Sequence, residues 1–335
     1  MHCHTAGVGA GGSGCYVSAA LMKSWRFHFY LKAFGVTKAE VSEYGDACII
    51  RKISTRLATS KRVGSAVILA MDAVVGIDGE LDLEKTEIYV PNIFVSTEVR
   101  KYDNLHFGAS INPYRKDAIE RLNKAADENA VLVKWLPSIQ LIDPADERLV
   151  PFYLRLKELC LPLLTHTGNE YSFTMSRNEL ADPERLRLPL ELGVTVIAAH
   201  AATVGRNNGI RNLKRIMPMF EKYPNLYADI SSLTQFNRIG HLRNLLRHKI
   251  QERLLYGTDM PLPETGIVSP ILFAHNIGIK KSVFLSRLEN PWDLDAELKL
   301  ELGVPTSVFT RAWKLLQRPT ILTTCHMADG FRDRI

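Results

Sequence analysis

The sequence predicts an α/β barrel of eight parallel strands, and three features predict it. Seven short runs rich in Val, Ile and Leu recur from residue 65 onward. Amphipathic stretches separate them, so strand and helix alternate throughout, the pattern of a parallel sheet. Ionisable residues gather at the ends of the runs, where such a barrel carries its reacting groups. A length of 335 residues suits one barrel of this kind.

The runs are 65–71 (SAVILAM), 105–111 (LHFGASI), 131–136 (VLVKWL), 161–166 (LPLLTH), 194–200 (VTVIAAH), 225–230 (NLYADI) and 253–259 (RLLYGTD). Near-continuous apolar runs suit strands buried on both faces. Between them, helical spacing marks 117–129, 144–159, 211–223 and 235–246. Asp143-Pro144 and Asp182-Pro183 read as helix starts, an N-cap followed by Pro at the first helical position. Pro224-Asn225 ends one helix and leads into the next strand. Closing the barrel needs an eighth strand, and only residues 1–4 (MHCH) are left for it. So short a first strand implies a chain that begins late, with His2 and His4 on a terminus prone to fray.

Residues 5–45 then form a long insertion after the first strand. Its glycine-rich part, 7–14 (GVGAGGSG), reads as flexible loop. The aromatic cluster of Trp25, Phe27, Phe29 and Tyr30 reads as the packed face of an amphipathic helix, with a lid as the alternative. Gly7-x-Gly9-x-x-Gly12 is no phosphate loop, because no strand leads into it and no Lys-Ser/Thr follows. Residues 1–285 are assigned to the barrel, and 286–335 to a helical appendage and tail rather than a second domain.

Composition narrows the class of function. With 46% hydrophobic and 23% charged residues the chain is globular, not disordered. The net charge of +6 is scattered without blocks, which disfavours nucleic acid and suits a small anionic substrate. Cysteines 3, 15, 48, 160 and 325 form no Cys-x-x-Cys pair and read as reduced thiols. No apolar run reaches the roughly 18 residues that span a bilayer, and no secretory signal opens the chain. The expectation is a soluble cytoplasmic protein without a membrane partner, with a homo-oligomer left open.

The run ends hold the chemistry. His4 ends the first run, His166 the fifth, His200 the sixth and Asp259 the eighth, while Lys134 sits inside the fourth. Residues i and i+2 of a strand point the same way, so His2 joins His4 on one face. Three His-bearing ends and one Asp-bearing end share a face only if they serve a common centre. Imidazole and carboxylate are the ligand set of zinc or a similar divalent ion. An open position on such an ion lowers the pKa of water to about 7.

With these motifs the chain resembles the amidohydrolase superfamily, in particular the amidohydrolase-related branch that includes aminocarboxymuconate-semialdehyde decarboxylase. The carriers are His2-Cys3-His4, Val133-Lys134-Trp135-Leu136-Pro137 and Leu163-Leu164-Thr165-His166-Thr167-Gly168. They continue with Ile197-Ala198-Ala199-His200, Asn225-Leu226-Tyr227-Ala228-Asp229-Ile230-Ser231 and Leu255-Tyr256-Gly257-Thr258-Asp259-Met260-Pro261. They stand in family order across residues 1–4 and about 65–265. Only Met1 precedes His2, where family members carry several more residues.

The resemblance implies a (β/α)8 TIM barrel in which His2, His4, His166 and Asp259 hold a divalent metal, preferably zinc. Asp259 is then also the general base, and His200 either binds a second metal or polarises the substrate carbonyl. In two-metal members a lysine at the place of Lys134 is carboxylated and bridges the ions. The preferred reading is one ion, which leaves Lys134 to bind an anionic group or to pack. Among weaker candidates, Arg206 has the fork to clamp a carboxylate and Asn169 follows His166 toward substrate. Glu170, like Asn169, reads as solvated loop with substrate contact as the alternative, Thr203 follows His200 as Arg206 does, and Asp229 reads as either a backbone cap or a partner that orients a ligand histidine. His28, His106, His241, His248, His275 and His326 fall outside the pattern. The leading expectation is a metal-dependent hydrolase that uses metal-activated water on an amide, ester or lactone bond. A non-oxidative decarboxylase on the same barrel is the alternative, and a non-catalytic binding protein the remote one.

Overall fold

The computed structural model describes residues 1–317. Its main sheet has eight strands: β1 Cys3–His4, β2 Ala66–Leu69, β3 Leu105–Ala109, β4 Leu132–Trp135, β5 Leu163–His166, β6 Val196–Ala199, β7 Leu226–Asp229 and β8 Leu254–Leu255. They lie in chain order, and every neighbouring pair is parallel. A parallel bridge from Cys3 to Met260 closes the sheet on itself, giving the TIM barrel. Each strand falls inside the apolar run that marks it, and every residue of β2, β4, β5 and β6 is buried.

The barrel interior is packed rather than hollow below the mouth. Val67, Leu69, Leu132, Leu164, Ile197 and Leu255 form one apolar cluster. A Cβ on Gly108 would come within 2.7 Å of the Leu69 side chain and 2.9 Å of the Val67 side chain, so a larger residue there would have to displace both. Ala312 and Leu316 of the helix Thr306–Leu316 pack into the same cluster. The other C-terminal helix, Pro291–Glu301, is pinned through Asp293, which accepts from Ser60 Oγ and the amides of Lys61 and Arg62. Residues 318–335, with Cys325, His326 and the expected tail, lie outside the described residues. No disulfide joins the described cysteines, and no described helix is long and apolar enough to cross a membrane.

Several expectations are corrected. The first strand does not fray: the His4 amide donates to Met260 O and the Asp259 amide to His2 O, both at 2.8 Å. Pairing on both sides in a closed sheet does for two residues what length does for an edge strand. The glycine stretch is not loose either. The Val8 and Gly9 amides and Ser13 Oγ all donate to the buried carboxylate of Asp46, so the loop wraps an anion. A Cβ on Gly7 would sit 2.4 Å from that carboxylate.

Helix 117–129 is observed as Ala118–Asp127 and helix 211–223 as Asn212–Lys222. Asp143 caps only a local turn through the Ala145 amide, and the α-helix begins at Val150. Asp182 does cap, but the element it opens is the 3-10 turn Pro183–Leu186. The stretch 235–246 breaks at Gly240, φ 85°, into the turn Phe236–Arg238 and the helix His241–Leu246. In the insertion, only Ala33 of the helix Trp25–Ala33 is buried, so its aromatic residues are not core.

Candidate functional site

The ends of β1, β5, β6 and β7 and the loop after β8 meet at one mouth of the barrel. His2 is buried, and its Nδ1 donates to Asp229 Oδ2 at 2.8 Å. That bond fixes the tautomer and leaves the Nε2 lone pair facing inward. His2 Nε2 lies 3.1 Å from His4 Nε2, 3.2 Å from Lys134 Nζ and 3.5 Å from Asp259 Oδ1. His4 Nε2 is 3.4 Å from the same Asp259 oxygen. The other Asp259 oxygen accepts from the Ser232 hydroxyl and lies 3.9 Å from His200 Nε2.

His200 is aimed by its backbone. Residues 200–202 all have positive φ (56°, 49° and 50°), as does Asp259 at 64°. Such non-glycine geometry costs about 1–3 kcal/mol per residue and persists only where surroundings hold it. Asp229 Oδ1 supplies part of that hold by accepting the His200 amide at 2.8 Å. Ser231 meets His200 Nδ1 through its Oγ at 2.8 Å and its carbonyl at 3.1 Å.

Burial and charge set the protonation states. Burial, then Lys134, pushes His2 down to about 4. Burial also lowers His166 and His200. It would raise Asp229 and Asp259, but the neighbouring histidines, His2 foremost, hold both well below the usual carboxylate range. Lys134 falls to about 8, again through burial. These imidazoles are therefore neutral and the carboxylates ionised at pH 7, as metal ligands must be.

Stability should depend on pH in consequence. A histidine depressed to about 4 contributes fully above its ordinary 6.5, and the contribution is lost as pH falls through 4. Depressed Asp229 acts in the same direction. Metal-free protein should lose roughly 3 kcal/mol between pH 6.5 and 4 from His2. Thermal melts across that window should show the drop, and His2→Asn should remove the His2 share of it and leave that of His166 and His200.

The donor set fits a divalent cation. Ligand atoms of His2, His200 and Asp259 lie within 4.8 Å of one another, a group close enough to share one ion. His4 adjoins it through the contacts above. His166 lies beside His200, ring centroids 5.2 Å apart, with its Nε2 buried and unpartnered. The close group of ligand atoms includes His200 and leaves out His4 and His166.

Glu170 is no solvated loop residue. It is buried, accepts from the Tyr171 and Ser172 amides at 2.8 and 2.6 Å, and places Oε2 3.5 Å from His166 Nδ1. Asn169 lines the cavity, its amide donating to Tyr171 Oη at 3.0 Å. Arg206 is not brought to the mouth: it lies exposed in a hairpin and donates to Gly209 O at 3.0 Å. Arg206→Ala should therefore change turnover by less than about twofold, as initial rates would show. Arg238 lines the cavity and carried no signal in the sequence, since it sits in a stretch with helical spacing.

The cavity above the cluster measures about 350 Å³, within the range of small-molecule sites. One side is ionic: the histidines, Asp259, Lys134, Glu170 and Arg238. The apolar lining includes Leu21, Phe27 and Tyr30 from the insertion and Ile49 from the helix Ala47–Ala58 that follows it.

The amidohydrolase family model matches residues 92–272. No curated protein matches the chain. Among solved structures, an uncharacterised TIM-barrel protein of Bordetella bronchiseptica is similar at 18% identity and TM-score 0.52, over 83% of this chain and 90% of that one. A probable 2-pyrone-4,6-dicarboxylic acid hydrolase of Acinetobacter baumannii is similar at 13% identity and TM-score 0.47, over 80% and 85%. A 5-carboxyvanillate decarboxylase of Novosphingobium aromaticivorans, with bound manganese, is similar at 12% identity and TM-score 0.48, over 94% and 96%.

Proposed function

The chain belongs to the amidohydrolase family, and from that premise we propose that it is a metal-dependent hydrolase of a small anionic substrate, acting on an amide, ester or lactone bond. The observation that carries this reading is the convergence of His2, His200 and Asp259 donor atoms at the mouth of a ligand-sized cavity. His2, His4, His200 and Asp259 would hold one divalent ion, preferably zinc, with His166 turned toward the same space. What such an ion supplies is acidification of water and polarisation of a substrate oxygen.

The rest falls to the chain's own groups. Asp259 enters ionised, so it takes a proton from the attacking water at its carboxylate and returns it to the leaving group. The Ser232 hydroxyl steadies one of its oxygens. Asp229 and Ser231 keep His2 and His200 in the tautomers that present Nε2 to the centre. Lys134, at 3.2 Å from His2 Nε2, orients an anionic group or packs.

Non-oxidative decarboxylation is the second reading, favoured by the cationic Arg238 beside an apolar wall. Turnover of a panel of esters, lactones, amides and carboxylated unsaturated acids in ¹⁸O-labelled water separates the two. Label in the product supports hydrolysis, and carbon dioxide release without label supports the lyase. No turnover of any panel member by the metal-loaded protein would count against both.

A further inference from the structure

We propose that the substrate is a monocarboxylate with a sizeable apolar body, its carboxylate received by Arg238 and Gln235 and its body lying against the 5–45 insertion. This rests on the reading above only in placing substrate in the same cavity. Gln235 and Arg238 flank one turn after β7, fixed by the Phe236 amide on Ile267 O at 2.8 Å and the Arg238 amide on Gln235 O at 2.9 Å. Arg238 Nη1 and Gln235 Nε2 are both buried without a hydrogen-bond partner, and both residues line the cavity. No ion pair includes Arg238 among the described residues.

Buried donors left unmade are costly, a cationic one most of all, so two in one turn point to an acceptor that arrives from outside. A guanidinium fork beside an amide matches a carboxylate. The other cations of the cavity are engaged: Arg26 lies over the Trp25 ring at 5.3 Å, and Lys134 faces His2. Glu170 accepts the Tyr171 and Ser172 amides on Oε1 and faces His166 Nδ1 with Oε2 at 3.5 Å, and it forms no ion pair with Arg238.

The apolar wall explains the body. Leu21 and Ile49 are 3% and 2% exposed yet line the cavity, and Phe34, Ile88 and Phe27 continue the surface. The Tyr30 hydroxyl on this side already donates to Ser172 O at 3.3 Å. A ligand portion against it gains by being hydrocarbon.

The test uses chelator-treated full-length protein and isothermal titration calorimetry with three probes: 3-phenylpropanoate, 3-phenylpropanamide and acetate. The expected result is that the acid binds at least about tenfold tighter than its amide and about 100-fold tighter than acetate. Arg238→Gln should abolish the acid preference and leave amide affinity within about threefold, which also reports an intact cavity. Arg238→Lys should restore only part of the preference, and Arg26→Gln should leave it whole. Equal affinity for acid and amide, a preference that survives Arg238→Gln, acetate binding as tight as the larger acid, or no binding of the acid would each overturn the proposal. The probes need neither metal nor turnover. A chain that binds no metal but shows the preference overturns the hydrolase reading alone, and an active metal-loaded chain without it overturns this one alone.

Discussion

Asp259→Asn should lower kcat by about 10³-fold with KM changed only severalfold, as a general base contributes about 10²–10⁴. The substitution keeps the volume of the side chain and removes its charge. One Asp259 oxygen sits 3.5 Å from His2 Nε2 and 3.4 Å from His4 Nε2, and the other accepts from Ser232. An amide nitrogen at either place cannot take up a proton, nor can it act as an anionic ligand. The Asp259 amide bond to His2 O, which helps close the barrel, is untouched, so the fold should survive. Steady-state kinetics with a circular dichroism melt checks this. Turnover within tenfold of the parent would contradict the role.

The second large effect is expected at Asp229. This carboxylate is completely buried and accepts from His2 Nδ1, the His200 amide, the Ser231 amide and Ser231 Oγ. Asp229→Ala leaves those donors without their acceptor. Breaking a buried charged hub of this kind costs about 3–5 kcal/mol. It also frees the His2 imidazole to rotate and releases the His200 backbone, and loss of such an orienting partner weakens metal binding by about 10–100-fold. Urea unfolding of the metal-free variant and zinc titration of the folded fraction measure the two effects separately. Asp229→Asn retains an acceptor and should lose less of each. A variant with parental stability and affinity would show that the histidines are held by packing alone.

Much of the barrel was legible because its strands are buried on both faces and read as unbroken apolar runs. The polar residue that ends such a run stands out, which is why His166, His200 and Asp259 were legible as strand-end residues. Lys134 stood out as a charge inside a run. β1 offered only two residues of strand, and its stability comes from pairing with β2 on one side and bridging to Met260 on the other. No local pattern encodes that closure.

Loop residues were the least visible. Arg238 sits where apolar spacing continues, and the break at Gly240 shows only in the backbone. Glu170 follows His166 by four residues, but its burial depends on how the loop folds back over the mouth. Asp46 organises amides 37 and 38 residues away, a tertiary contact that turns a glycine-rich segment from apparent slack into a wrap. Periodicity identified the apolar side of the helix Trp25–Ala33 but not its surroundings, which are a cavity instead of a core.

On the proposed function, the His and Asp residues at the barrel mouth hold a divalent metal. Metal content per chain, by plasma mass spectrometry on tag-free protein purified without chelators, tests it most directly. About one equivalent of zinc or a similar ion per chain is expected. Protein that carries no metal, and takes up none after incubation with zinc and manganese, would contradict it.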